Sequence, residues 1–273
     1  TPPARTPGLP GRAVWVERDT ASGLIHDLLA GLHGRLRPAF LDGRTVLKGK
    51  RRQLRLDNGK ALPVTDTQRE RVTRLIEGLA DTQADPRAFE VLDVARRIAG
   101  NGSLGVDRYV ILVRGKGSPE GNELLDLKAA LPSSLLPALS VRQPAWPSEA
   151  ARVVAIQRRM QAVPVAFLEP VRFRQRSYVL RALQPTEDRV SLDAGRSGVA
   201  ALEGALGAMG SIVASAQLRS SGRDGSAIAD TLIGFGQRRW RKDLRGAAET
   251  CAKRLLKDWK VYCEAFDDGA FLP

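Results

Sequence analysis

Gly100-Asn101-Gly102-Ser103-Leu104-Gly105 runs into Arg108-Tyr109-Val110-Ile111-Leu112-Val113. After a loop comes Leu124-Leu125-Asp126-Leu127-Lys128-Ala129-Ala130. The whole stretch, from Val94 to Ala130, reads as strand, glycine-rich turn, strand, short loop, and strand with one lysine. Glycines let backbone N–H groups approach an anion with no side chain in the way. A lysine on the following strand can bring a positive charge to the same place. Leu125 and Leu127 alternate with Asp126 and Lys128, so Lys128 points away from one apolar face.

The element after the glycines separates two readings. A dinucleotide-binding unit needs a helix after G-x-G-x-x-G, with its N-terminus on the pyrophosphate. Here the glycines lead into Val106–Val113, rich in β-branched and aromatic residues, which then meets Arg114-Gly115-Lys116-Gly117. That is a strand ending in a turn, so the glycines sit in a hairpin. Such a hairpin can cover phosphates from above. It can also be a plain flexible turn, and Lys128 a solvated edge lysine.

The chain of 273 residues has 43 Lys and Arg against 30 Asp and Glu, a net charge of +13. This charge attracts nucleotides, nucleic acids or acidic surfaces without choosing among them. Aromatic residues are few and not interleaved with basic ones, which argues against a single-strand stacking platform. The two cysteines, Cys251 and Cys263, lie twelve apart in a helical pattern. They are not a metal pair, and they point to a reducing, cytoplasmic setting. The two histidines, His26 and His33, are seven apart, too far for an i, i+4 metal pair, and read as surface residues. The chain begins at Thr1 rather than Met, as expected of a processed or truncated product.

Four segments are expected: a flexible lead-in over 1–18, a helical segment with a β-hairpin over 19–88, a β-rich lobe over 89–185, and a helical lobe over 186–273. The basic run Arg44–Arg55 is expected on a solvated strand face. Leu54–Leu62 reads as a hairpin turning at Asn58-Gly59. Thr65-Asp66-Thr67-Gln68 fits a capping box, and Val72, Leu75, Ile76 and Leu79 give the next helix an apolar face. Ser148 caps a further helix, with Val153, Ile156 and Met160 on its buried side. Glu149 is the only acidic residue between Ala129 and Leu168, hence the only carboxylate the next helix can offer Lys128. The helix dipole alone also favours an acid there. Val165–Phe173 and Ser177–Leu183 complete about five strands. Gly198–Ala216 is apolar enough to resemble a membrane span, but its Glu203 and its many Ala and Gly suggest a buried helix and no membrane. Gly204, Gly207 and Gly210 suggest a close neighbour. Trp240, Leu244, Cys251, Leu255, Trp259, Tyr262 and Phe266 are expected as core on a long amphipathic helix.

Taken together, Arg97–Gly105 with Arg108-Tyr109, Leu125–Lys128, Arg152–Gln161, Tyr178–Arg181 and Ala216–Arg219 resemble an uncharacterised bacterial family, a domain of unknown function. That family in turn resembles the kinase-like aminoglycoside phosphotransferases, and the likeness runs from about Leu41 onward. The resemblance implies an α+β, protein-kinase-like fold: an antiparallel sheet lobe with a glycine-rich hairpin, and a mainly helical lobe. It implies ATP under Gly100, Asn101, Gly102, Ser103 and Gly105, with Lys128 at its phosphates, Glu149 as the lysine's partner and Gln184 near the hinge. Mg²⁺ would accompany the ATP.

The family's histidine-glycine-aspartate catalytic loop and metal-binding aspartate precede the glycine hairpin. Here His33-Gly34 is followed by Arg35, so the resemblance puts that half upstream of Thr1 or on a second chain. Arg223-Asp224 stands where a loop would come after the glycine-containing helix, which makes Asp224 the candidate base. A kinase loop carries asparagine five residues further on, where this chain has Ala229, and no D-F-G comes after it. The expected function is therefore a kinase-like ATP-binding protein, part of a phosphotransferase of unnamed acceptor. The competing expectation is a basic module, or an inactive kinase relative, that binds nucleic acid or an acidic partner.

Overall fold

A computed structural model describes residues 20–33, 36–57, 59–103, 105–173, 175–185, 189–192 and 198–271. The expected lead-in, Asn58 of the expected hairpin turn, and Leu104 of the glycine stretch lie outside the described residues.

Eight strands and seven α-helices are present among them. In chain order they are α1 (Gly23–His33), α2 (Arg37–Asp42), β1 (Thr45–Lys48), β2 (Arg51–Leu54), β3 (Ala61–Leu62), α3 (Asp66–Ala80), β4 (Val91–Arg97), β5 (Arg108–Val113), β6 (Glu123–Ala129), α4 (Glu149–Met160), β7 (Glu169–Phe173), β8 (Arg176–Ala182), α5 (Val199–Ser220), α6 (Ala229–Gly236) and α7 (Arg241–Asp267). The fold is mixed α+β with antiparallel sheets. Six strands form one sheet in the order β3-β4-β5-β6-β8-β7, and β1 and β2 form a separate ribbon.

The chain divides into two compact units, Thr1–Ser220 and Ser221–Pro273. In the first unit, β5 is buried along its whole length. Its β-branched and aromatic residues suit a strand covered on both faces. Tyr109, Ile111 and Val113 join Leu125, Leu127, Tyr178 and Leu180 under Val72, Leu75 and Ile76 of α3. On the other face, Val110, Leu112 and Leu124 meet Leu41 of α2, Leu54 of β2 and Leu183. The expected capping box is present at α3: the Gln68 amide donates to Thr65 Oγ1 (3.2 Å), and the Thr65 amide donates to Gln68 Oε1 (3.0 Å). Ser148 caps α4 through the Ala151 amide. The residues that α4 buries are Ala150 and Val154, one position away from the expected Val153, Ile156, Met160 stripe.

Expectations for three segments are corrected. The expected Leu54–Leu62 hairpin pairing is not formed: β2 pairs instead with β1 through a turn at Gly49, where φ is +61°. Leu54 pairs back with Thr45, and Ala61 pairs with Arg97. The strong local turn signal lost to strand partners on either side. Within that basic run Arg52 is buried, not solvated. It donates to Asp42 Oδ1 (2.6 Å), Thr45 Oγ1 (3.0 Å) and the Pro119 carbonyl (2.6 Å).

The α5 helix is the second correction. Only Ala205 is buried in it, while Val199, Leu206, Ile212 and Val213 are exposed. A Cβ added at Gly204, Gly207 or Gly210 would meet nothing within 4 Å, so no close neighbour explains those glycines. By length and composition the helix is able to cross a membrane. The third correction lies in the second unit, where the expected core aromatics of α7 are exposed, Trp259 at 61% and Phe266 at 61%. They stack on each other instead, with the Tyr262 ring 5.6 Å from that of Trp259 and 6.2 Å from that of Phe266.

Leu125 is fully enclosed (0% exposed) and Ile212 is not (57%). Leu125→Ala should destabilise the fold by about 2–5 kcal/mol, and Ile212→Ala should change it by less than about 0.5 kcal/mol. Urea denaturation of the two variants measures the contrast.

Candidate functional site: a cationic cavity beside the glycine hairpin

The site grows from the register of the central strands. Val110 and Arg181 flank Asp126, and Arg108 and Val179 flank Lys128. With side chains alternating along each strand, Asp126, Lys128, Arg108 and Arg181 share one face of the sheet. Asp126 is 1% exposed. Arg108 grips it with a two-pronged fork, Nε to Oδ1 at 2.8 Å and Nη2 to Oδ2 at 2.7 Å. Arg97, from the end of β4, adds Nη1 to Oδ1 at 2.8 Å. Arg181, from β8, adds two longer contacts to Oδ2 at 3.3 Å. Arg108 also donates from Nη1 to the Ala99 carbonyl (3.2 Å), directly ahead of Gly100. The carboxylate therefore fixes the guanidinium, and the guanidinium holds the base of the glycine turn.

Burial alone would push the Asp126 carboxyl up. The Arg108 hydrogen bonds and the Arg97 charge outweigh it and hold the pKa at about 2. Burial also lowers the pKa of Arg97, with the Asp126 charge acting against it. Lys128 is lowered too, first by burial and then by the neighbouring Arg108 charge.

The glycine turn spans β4 and β5 as expected. Gly100 and Gly105 have φ of +71° and +75°, a region in which only glycine is unstrained, and Asn101–Ser103 forms one 3-10 turn between them. Beside this turn lies a cavity of about 570 Å³. Its apolar wall includes Leu54, Ala61, Val110 and Leu183. Its charged lining is Arg44, Arg55, Lys60, Arg97, Arg108 and Arg189, with no carboxylate among the described lining residues. The α2–β1–β2 segment closes one side. It is hung on the sheet by the Leu54 amide, which donates to Asp93 Oδ2 (2.9 Å).

Only some of the expected residues meet at this cavity. Gly100, Ser103 and Gln184 line it; Gly102 and Gly105 belong to the turn but not to the lining. Asn101 is in the 3-10 turn, and its side chain is outside the described residues. Lys128 is on the cavity's face of the sheet but not in the lining. Its cross-strand neighbour Arg108 occupies the position expected of the lysine. The expected Lys128–Glu149 pair is not formed: Glu149 binds Arg152 of its own helix at 2.7 Å. An i, i+3 guanidinium is a local partner that needs no tertiary contact. Asp224 lies in the second unit, with φ of +50°. His26 is exposed beside Asp27, an ordinary surface position. Sequence reasoning gave no role to Arg97, Arg108, Asp126 or Arg181. The signal was an aspartate inside an apolar strand, a residue that must find cations if buried.

ATP and Mg²⁺ fit this lining differently. The cations and the glycine turn suit a phosphate chain. Magnesium prefers carboxylate and water oxygens. No group of three or more Asp, Glu, His or Cys side chains is placed to hold a metal among the described residues. Asp126 is enclosed by arginines, and Asp93 is committed to the Leu54 amide and to Arg69. The described residues therefore do not form a magnesium site.

Fold and site together define a mixed α+β protein with a cationic cavity on one face of an antiparallel sheet. Residues 12–265 match the family described as an uncharacterized protein conserved in bacteria (DUF2252), and the chain belongs to that family. No curated protein matches the chain. No solved structure matches it either.

The Asp126 shift, from 3.8 to about 2, amounts to about 2 kcal/mol of stability. Its sign is set by the lowered folded pKa: the contribution is complete above the unfolded value and disappears as pH falls through about 2. Urea midpoints of the wild type should therefore drop below about pH 4. Asp126→Asn removes this acid-sensitive component. At neutral pH it should cost about 3–5 kcal/mol, because three guanidinium groups lose their counter-charge. Unchanged midpoints in the variant would refute the assignment.

Proposed function

We propose that the chain is a kinase-like nucleotide-binding protein and supplies the nucleotide-holding part of a phosphotransferase. One observation carries this reading: a cavity lined by apolar side chains and by cations together, beside a glycine hairpin. A nucleotide has the same two-part chemistry. In this reading Val110, Ala61 and Leu183 contact the flat apolar base, and Gln184 meets its polar edge. Gly100 and Ser103 approach the phosphates, whose charge Arg97 and Arg108 neutralise. The order glycine hairpin, strand lysine and acid-bearing helix supports the kinase-like part. The roles differ from the kinase pattern: arginines take the lysine's place, and Glu149 pairs with Arg152 instead of Lys128.

Phosphoryl transfer depends mainly on positioning and charge neutralisation, and these residues can provide both for the donor. The acceptor and the group that activates it are assigned to none of the described residues. A basic module with diffuse affinity for polyanions is the competing reading, and the test separates the two.

Arg44 lines the cavity; Lys48, exposed on β1, does not. Arg44→Glu and Lys48→Glu change the net charge equally. ATP should raise the melting temperature of wild type and of Lys48→Glu, and Arg44→Glu should lose at least about tenfold in affinity. Equal losses in both variants would sink the localised site in favour of diffuse attraction.

A further inference from the structure

We infer that the cavity takes a phosphate chain free of bound metal. This rests on the nucleotide reading for the cavity and departs from the magnesium that kinase-like chemistry brings with it.

Three observations carry the inference. Every charged side chain that lines the cavity among the described residues is a cation, six in all. Asp126, on the same face, has both oxygens committed: Oδ1 receives Arg97 and Arg108, and Oδ2 receives Arg108 and Arg181. A magnesium ion on a phosphate chain is held by phosphate oxygens, water and one or two protein carboxylates, and the side-chain oxygens of the described lining are only the uncharged Ser103 hydroxyl and Gln184 amide. A dication entering with the phosphates would sit among like charges, and partial burial would strengthen the repulsion.

Guanidinium groups, in contrast, suit bare phosphate oxygens. Their planar donors match two oxygens at once, and they hold charge in a partly dry site more easily than an ammonium does. Arg97 and Arg108 are already fixed by Asp126, so little ordering remains when the anion arrives. The cations thus do what a metal does in other phosphate sites: they neutralise the chain. Magnesium bound to the phosphates cancels much of the charge that these arginines recognise, and it competes with them for the same oxygens. The preferred form is therefore the metal-free anion.

Isothermal titration of the whole chain tests this at constant ionic strength. ATP and inorganic tripolyphosphate are each titrated in EDTA and in excess MgCl₂. Both should bind in EDTA, and Mg²⁺ should weaken each by about tenfold or more. Binding as tight or tighter with Mg²⁺ overturns the inference while leaving a nucleotide site in place. If tripolyphosphate binds in EDTA and ATP does not, the nucleotide reading fails and the metal-free phosphate site stands. If neither ligand binds in EDTA, the inference is overturned.

Discussion

Asp126 is the constraint on which the first unit depends. It sits in the central strand β6, one of the most buried positions of the sheet, and collects arginines from β4, β5 and β8. Those three strands are adjacent to it or one strand further out. A register slip of one residue in β6 would carry the carboxylate into the apolar layer under α3. It would also leave three guanidinium groups without their counter-charge. Buried ion clusters are weak devices for raw stability, because desolvation consumes most of the Coulomb gain. Their strength is selectivity among alternative arrangements, and this cluster can select the register that forms the cavity. The Arg108 bond to the Ala99 carbonyl then extends that choice to the glycine turn.

The other side of the cavity is fixed by a second arginine. Arg52 is buried and joins Asp42, Thr45 and the Pro119 carbonyl, so α2, the β1–β2 ribbon and the β5–β6 loop are tied together. Leu41 and Leu54 carry this segment onto the sheet. The apolar wall is thus pre-formed by packing, and Arg97 and Arg108 of the cationic lining are held by one carboxylate. Arginine has two separate uses in this chain. Arg52 and Arg181 hold the structure together; Arg97 and Arg108 do that and also face the cavity. A net charge summed over the sequence cannot distinguish these uses.

Local signals in the sequence carried over well. The glycine hairpin, the Thr65–Gln68 box and the Ser148 cap each depend on residues a few positions apart, and each formed as read. Features that depend on distant partners were less legible. Lys128 drew attention because a lysine in an apolar strand stands out. Its neighbour across the ladder, Arg108, is twenty positions earlier, and only the register shows that Arg108 lies nearer the cavity. Glu149 was the only acid that the following helix could offer Lys128, but Arg152, three residues on, satisfied it within the helix. The apolar character of α5 and the stripe of α7 are legible in the sequence, yet neither says whether a face is covered. Both remain exposed.

The balance of charge on the cavity's face gives these parts a common direction. Arg97, Arg108, Arg181 and Lys128 surround a single carboxylate, and each cation raises the cost of charging its neighbours. The lowered pKa values of Arg97 and Lys128 are both led by burial, and both include the repulsion of Arg108. A fold that gathers like charges in a partly dry cavity holds them at a cost in stability. An anion of matching size would relieve that cost, so ligand affinity and fold stability are linked through the same side chains. Lysines would carry the same charge, but their point-like ammonium groups could not grip Asp126 and face an anion at once. The planar fork of Arg108 does the first with Nε and Nη2 and reaches the glycine turn with Nη1, so one side chain couples carboxylate, turn and cavity.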